Sequence, residues 1–179
     1  MRIIAGANKG RRLKAPTWSG LRPTSDKLRE TLFNIIAARV PDARVLDVFA
    51  GSGAIGLEAL SRGACRAVFV EHDHRAVQLI EENATICGVR DRCVIIRDAA
   101  AHALQKPFDG DPFDLVMLDP PYDFAALAAV IDAAARHLAP GGLLILEHAA
   151  RGIPPVVSGA HPVRTVRSGD SALTMFEGR

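Results

Sequence analysis

Five short, largely apolar runs separated by helical stretches constrain the fold of this chain more than any other feature. The runs lie at residues 45–49, 67–70, 93–96, 113–118 and 143–146. A strand wet on one face alternates apolar and polar residues, whereas a run apolar throughout is expected where both faces are covered. Helical stretches fall between the runs, near 54–62, 73–87 and 124–138. The last places Phe124, Leu127, Ala128, Ile131, Ala135 and Leu138 on one stripe. Gly88 and Gly141 stand where helix ends need a left-handed residue. This alternation predicts a doubly wound α/β domain with a mostly parallel sheet.

The flanks read differently. Residues 2–5 and 11–14 are expected as two short strands joined by Gly6-Ala7-Asn8-Lys9-Gly10, and 16–23 as irregular. A helix should begin near Thr24 or Ser25, with Leu28, Leu32, Ile35 and Ile36 on one face. After residue 150, prolines and glycines leave little room for a helix. Runs at 163–166 and 172–176, joined by Ser168-Gly169-Asp170-Ser171, predict an antiparallel hairpin at the sheet edge. The chain thus divides into a small hairpin-and-helix extension, 1–39, packed on a core domain, 40–179.

Charge is divided the same way. Residues 1–39 hold nine Lys/Arg and two acids, leaving thirteen basic and eighteen acidic residues for the rest, so a net charge of +2 hides +7 against −5. A basic segment on an acidic body suits a polyanion docked at one end, with Arg11, Arg12, Lys14 and Arg22 as phosphate contacts. A solvated charged face is the other reading of the same pattern. Trp18 fits either a core position or a nucleic-acid contact.

Gly51-Ser52-Gly53-Ala54-Ile55-Gly56 lies between a strand and a helix, where glycine lets backbone approach a ligand. Glu71, ending the second run, is placed to accept from ribose hydroxyls. Alone, this fits a dinucleotide oxidoreductase as well as an S-adenosylmethionine site. Asp47 tips the balance. It interrupts the first run four residues before Gly51, where it would repel a pyrophosphate but hold a cationic ligand. Asp98, after the third run, adds an acceptor suited to an adenine amine. Phe49, Ser52, Gly53, His72 and Ala99 complete the expected cofactor set.

The fourth run ends in Asp119-Pro120-Pro121-Tyr122. The prolines stop the strand and fix an extended backbone. They leave one carboxylate and two carbonyls as acceptors beside a flat ring, an arrangement for a planar molecule bearing an NH2 group. Such an amine is a weak nucleophile, because its lone pair is delocalised into the ring. Hydrogen bonds to Asp119 and the Pro120 carbonyl would orient it and stabilise charge developing on nitrogen. Stacking on Tyr122 is worth about 1–3 kcal/mol and extruding a paired base costs a few, so a loop or unpaired nucleotide is the expected target.

Other chemistries find less support. His72 and His74 lack further ligands nearby, so no metal site is expected. Cys65, Cys87 and Cys93 make no CxxC pair and read as free thiols of a reducing cytosol. No apolar run approaches a membrane span, and the first residues carry no long apolar stretch of a secretory signal.

The stretch from Val45 through Gly53, with Asp119-Pro120-Pro121-Tyr122, resembles the cofactor and catalytic motifs of S-adenosylmethionine-dependent amino-methyltransferases. Narrower matches come from Arg2-Ile3-Ile4-Ala5-Gly6, Gly10-Arg11-Arg12-Leu13, Arg22-Pro23-Thr24-Ser25-Asp26 and Phe33-Asn34-Ile35. These resemble the bacterial 16S rRNA guanine-N2 methyltransferase family nearly end to end. The resemblance implies a Rossmann-like class I methyltransferase, cytoplasmic and monomeric. It would methylate the N2 amine of a guanine in small-subunit rRNA, free or within the small ribosomal subunit particle. It also implies Asp47, Gly51, Gly53, Glu71 and Asp98 as cofactor residues and Asp119 to Tyr122 as the acceptor site. An adenine-N6 methyltransferase acting on RNA or DNA suits the same tetrapeptide. An NAD-dependent oxidoreductase and a non-catalytic RNA-binding module are the remaining alternatives.

Overall fold

The computed structural model describes residues 1–18, 25–109, 111–152 and 155–178. Seven strands form one sheet: β1 (Arg44–Val48), β2 (Arg66–Glu71), β3 (Cys93–Arg97), β4 (Phe113–Leu118), β5 (Leu138–Ala149), β6 (Ala160–Ser168) and β7 (Ser171–Gly178). Their order is β3-β2-β1-β4-β5-β7-β6. The first five are parallel, and β7 runs antiparallel between β5 and β6. This is the expected Rossmann-like sheet with its terminal hairpin. Chain order reverses between β1 and β4, and the crevice above such a switch point is where open α/β sheets bind ligands.

The helices are α1 (Asp26–Ile35), α2 (Ala54–Ser61), α3 (His74–Cys87), α4 (Ala100–Ala103) and α5 (Leu127–Ala135). Two apolar layers cover the sheet, and the period of two along each strand decides which residue joins which. Val45, Phe69, Met117 and Ile145 pack with α1, α2 and α3, whereas Leu46, Val68, Val116 and Leu144 pack with α4 and α5. Ser25 caps α1, its side chain accepting from the Leu28 N–H; Thr24, the other expected cap, lies outside the described residues. Gly88 caps α3 at φ 65° as expected.

Gly141 does not end a helix. The last helix stops at Ala135, and Gly141 bends the entry of β5 at φ 71°, where the register with β4 shifts. The β5 strand therefore starts five residues earlier than its apolar run. The buried face of α5 is Val130, Ile131, Ala133 and Ala134, while Ala128 is exposed. The short α4 has no counterpart among the expected helices.

The expected N-terminal hairpin is short: Arg2 bridges Arg12, Ile3 N–H donates to the Arg11 carbonyl at 3.0 Å, Gly10 N–H to the Ile3 carbonyl at 2.9 Å and Leu13 N–H to the Met1 carbonyl at 3.3 Å. Side chains of the core fasten the rest of its backbone. Buried Glu58 accepts from Ile4 N–H at 2.8 Å and Ala5 N–H at 3.0 Å. Ser61 donates to the Ala5 carbonyl at 2.6 Å and accepts from Asn8 N–H at 3.0 Å. Fully buried Asn83 accepts from Lys14 N–H at 2.8 Å and donates to the Lys14 carbonyl at 3.1 Å and the Ser52 carbonyl at 3.0 Å. Gly6 passes so close that a Cβ would lie 1.8 Å from the Ser61 carbonyl oxygen.

Among the described residues of the basic segment, Arg29 and Arg39 are taken up by the core domain and the sheet edge. Arg29 is wholly buried, donating to the Arg2 carbonyl at 2.5 Å and to Asp26 at 2.9 Å, with Glu58 at 3.8 Å. Burial lowers its pKa against the opposing charges of Asp26 and Glu58. Arg39 reaches Glu177 and the Gly141 carbonyl, both at 2.6 Å, at the amino end of the sheet. The basic cluster is correspondingly smaller than the sequence count.

Candidate functional site

A cleft of about 800 Å³ opens over the carboxyl ends of β1, β2, β4 and β5. Asp47, Phe49, Gly51, Ser52, Glu71 and His72 line one side, and Asp119, Pro120, Pro121 and Tyr122 the other. The tetrapeptide and the glycine loop thus meet at the switch point, although some 70 residues separate them.

Strand periodicity explains the carboxylates. Asp47, Glu71, Asp119 and Glu147 all continue the strand face that carries Val45, Phe69, Met117 and Ile145. On that face the strands are apolar where α1, α2 and α3 cover them and acidic where the cover ends. Glu147 is the member that sequence reasoning missed. Its signal was the same as that of Glu71: a carboxylate closing an apolar run.

Local hydrogen bonds fix the β1–β2 side. Glu71, 6% exposed, accepts from Gly51 N–H at 2.9 Å, His72 N–H at 2.7 Å and Asp73 N–H at 2.8 Å, and His72 Nδ1 lies 3.0 Å from it. Asp47, 2% exposed, accepts from Gly56 N–H at 2.9 Å. Burial pushes the Asp47 carboxyl up to about 8; the Gly56 hydrogen bond opposes this, and the charges of Asp119 and Glu71 add to it. A Cβ on Gly56 would sit 2.4 Å from the Phe69 ring and 3.2 Å from Asp47 Oδ2, so this position closes helix, strand and carboxylate together. Phe49 has φ 62°, a strained conformation for a bulky residue, and its ring packs edge-on against Phe124 at 5.2 Å. Gly53 caps α2 below this wall at φ 75°.

The opposite side is assembled from distant segments. Pro120 is buried and Pro121 exposed. Tyr122 is 50% exposed, and its hydroxyl lies 2.8 Å from Ser171 Oγ at the start of β7. The turn Ser168-Gly169-Asp170-Ser171 therefore forms part of the cleft wall. The Asp170 carbonyl holds it to the end of β5 by accepting from Ala150 N–H at 2.8 Å.

Asp98 and Ala99 stand outside these walls. Asp98 follows β3 in step with Ile96, which packs toward the other sheet face. It accepts from Ala99 N–H at 2.8 Å and contacts His102 Nδ1 at 2.6 Å. These bonds hold its pKa low despite the opposing pull of desolvation, the largest single influence.

The N-terminal segment climbs α3 from its last turn to its first. Arg11 donates to the Ile86 carbonyl at 2.9 Å, and Lys14 lies 3.2 Å from Glu82. Trp18 meets Arg75, whose guanidinium lies 4.8 Å over the indole. Arg75 is held in turn by Asp73, and Trp18 lines the cleft, so it is not a core residue. Arg12 is exposed on the same course, and Arg22 lies outside the described residues. Among the described residues no group of three or more His, Cys, Asp or Glu could hold a metal ion, and no helix is long and apolar enough to cross a membrane. Cys65, Cys87 and Cys93 are free, the latter two buried.

Known proteins resemble this chain in sequence and in fold. Ribosomal RNA small subunit methyltransferase D of Escherichia coli is 42% identical over 132 residues, covering 74% of this chain and 65% of the relative. The Haemophilus influenzae protein of the same name is 36% identical over 150 residues, covering 82% and 78%. The solved structure of the Escherichia coli protein yhhF superposes with a TM-score of 0.88 at 35% identity, covering 100% of this chain and 98% of that one. The profile of the family described as Conserved hypothetical protein 95 matches residues 1–177. That span holds the clamped N-terminal segment, the glycine loop, the acidic strand ends and the tetrapeptide together, and the chain belongs to this family.

Proposed function

We propose that the protein transfers a methyl group from S-adenosylmethionine to the N2 amine of a guanine in small-subunit ribosomal RNA. The observation that carries this reading is the meeting of Asp119-Pro120-Pro121-Tyr122 with Asp47, Glu71 and the glycine loop in one cleft. The names of the Escherichia coli and Haemophilus influenzae relatives support small-subunit ribosomal RNA as the substrate, and the choice of guanine N2 rests on the resemblance of the N-terminal motifs.

The donor side fits a cationic nucleoside. Asp47 is a buried carboxyl already facing the loop, and a positive charge beside it would favour its ionisation. Glu71 has three backbone donors and keeps acceptor capacity for ribose hydroxyls. Gly51, Ser52, Gly53, Phe49 and His72 would frame the ligand. Asp98 and Ala99, at the next strand end, would meet the far end of one long enough to leave the cleft. S-adenosylmethionine supplies an electrophilic methyl group on its sulfonium.

Asp119 and the Pro120 carbonyl accept from the two N–H groups of the amine, so its lone pair is presented along the axis of attack. As the amine gains positive charge, both acceptors strengthen. The proton leaves after transfer, so no strong base is required. Tyr122, its hydroxyl tethered to Ser171, offers a ring face to the extruded base. Residues 1–39 act as the RNA-contacting extension of the 40–179 domain, with Arg11, Arg12, Lys14 and Arg22 as phosphate contacts and Trp18 at their cleft end.

An adenine-N6 methyltransferase is the second reading, favoured by the same tetrapeptide. Labelled methyl transfer to small-subunit particles, naked rRNA and duplex DNA, followed by identification of the labelled nucleoside, separates the two. Transfer to particles or rRNA is expected; transfer to duplex DNA alone would reject the proposal. Tight NADH binding by titration calorimetry would reject the whole class.

A further inference from the structure

Guanine and adenine each offer an exocyclic amine, and a carboxylate beside that amine accepts from either. We propose that Glu147 selects guanine by accepting the ring N1–H that lies next to the N2 amine. The inference rests on the reading of the cleft as an amine-methylating site.

Leu118 and Leu146 are register partners on β4 and β5. Asp119 and Glu147 follow them directly, so they leave neighbouring parallel strands side by side, and such strands lie about 4.8 Å apart. Both continue the face of Met117 and Ile145, and both line the cleft. Glu147 is only 8% exposed, a depth at which a carboxylate needs a functional or structural reason. On the next strand, β7 pairs Leu173 with Glu147 and carries Ser171, which holds the Tyr122 hydroxyl. The aromatic face and the two carboxylates therefore come from adjacent elements around one opening.

The Watson–Crick edge of guanine carries N1–H and N2–H2 as neighbouring donors. Two neighbouring acceptors match it. Adenine carries its amine beside the N1 lone pair, which would face the Glu147 carboxylate with no proton between them. A site built to accept an N–H discriminates strongly against an analogue that presents a lone pair in its place.

The test replaces the target guanine with 2,6-diaminopurine, which keeps the N2 amine but has a lone pair at N1. N2-methyl product is quantified by mass spectrometry of the nucleosides. The wild-type protein is expected to prefer guanine by about a hundredfold or more in kcat/KM. Glu147→Gln can turn an amide N–H toward the N1 lone pair, and should narrow that preference at least about tenfold with S-adenosylmethionine affinity retained. Equal losses on both purines, or an unchanged preference, would overturn the assignment. Equal use of both purines by the wild-type protein would overturn it without any variant. If the wild-type protein methylates guanine N2 without preference, only the role of Glu147 falls. If it methylates neither purine, the reading of the cleft falls with it.

Discussion

The two sides of the cleft are built by different means. On the β1–β2 side, one stretch from Asp47 to Glu71 supplies loop, strands and helix, and its two carboxylates are anchored by four backbone N–H groups. On the β4–β5–β7 side, Asp119 to Tyr122, Glu147 and the 168–171 turn come from three separate segments, and Tyr122 is steadied by a side chain about fifty residues away. The first is a locally encoded cradle. The second exists only after the sheet closes around β7. The comparison implies that donor binding and acceptor selection can be lost separately.

Asp119→Ala tests this most severely. Removing an acceptor that stabilises developing charge should lower kcat about 10²–10³-fold, while calorimetric affinity for S-adenosylmethionine stays within a few-fold. Parallel loss of binding would show that the two sides are not separable. Gly56→Ala strikes the other side. Its Cβ meets the Phe69 ring and Asp47, so we expect about 1–3 kcal/mol of destabilisation by overpacking and weaker cofactor binding. Scanning calorimetry with and without ligand measures both, and an unaltered affinity would remove Gly56 from the cradle.

A subtler probe is pH. Burial pushes the folded Asp47 carboxyl up to about 8 from its ordinary 3.8, so between these values the folded chain holds a proton that the unfolded chain has lost. Stability should therefore decline as pH rises from about 4 to about 8 and level off above. Asp47→Asn should flatten that decline in thermal melts. Binding of a cationic ligand near neutral pH should release the proton, read as a buffer-dependent binding enthalpy; buffer-independent enthalpy would remove Asp47 from the ligand's surroundings. The smallest effect belongs to the periphery. Arg12→Ala should reduce the slope of log RNA affinity against log salt by about 0.7–0.9 and leave cofactor affinity untouched. An unchanged slope would take Arg12 off the RNA path.

How legible each part was follows from the same contrast. The strands of the parallel sheet, the glycine loop and the tetrapeptide each declare themselves within a few residues, because burial on both faces and backbone conformation are local demands. Glu147 was hidden at the end of an ordinary apolar run, and its partner Asp119 lies on another strand. Strand parity could have found it, and could have separated Asp98 from Asp47 and Glu71. The N-terminal hairpin could be read from its turn residues, but not how it is fastened: Glu58, Ser61 and Asn83 hold its backbone from afar, and nothing in residues 1–14 announces them. Arg29, counted with the basic segment, is drawn into the core by partners that are also distant in sequence, the Arg2 carbonyl and the Glu58 carboxylate.

The central claim is that this cleft methylates the N2 amine of guanine in small-subunit rRNA. The most direct test incubates the purified protein with isotope-labelled S-adenosylmethionine and small-subunit particles from cells lacking it, digests the RNA and identifies the labelled nucleoside by mass spectrometry. The account predicts N2-methylguanosine at a single position. Label in N6-methyladenosine, or none in the RNA at all, would contradict it.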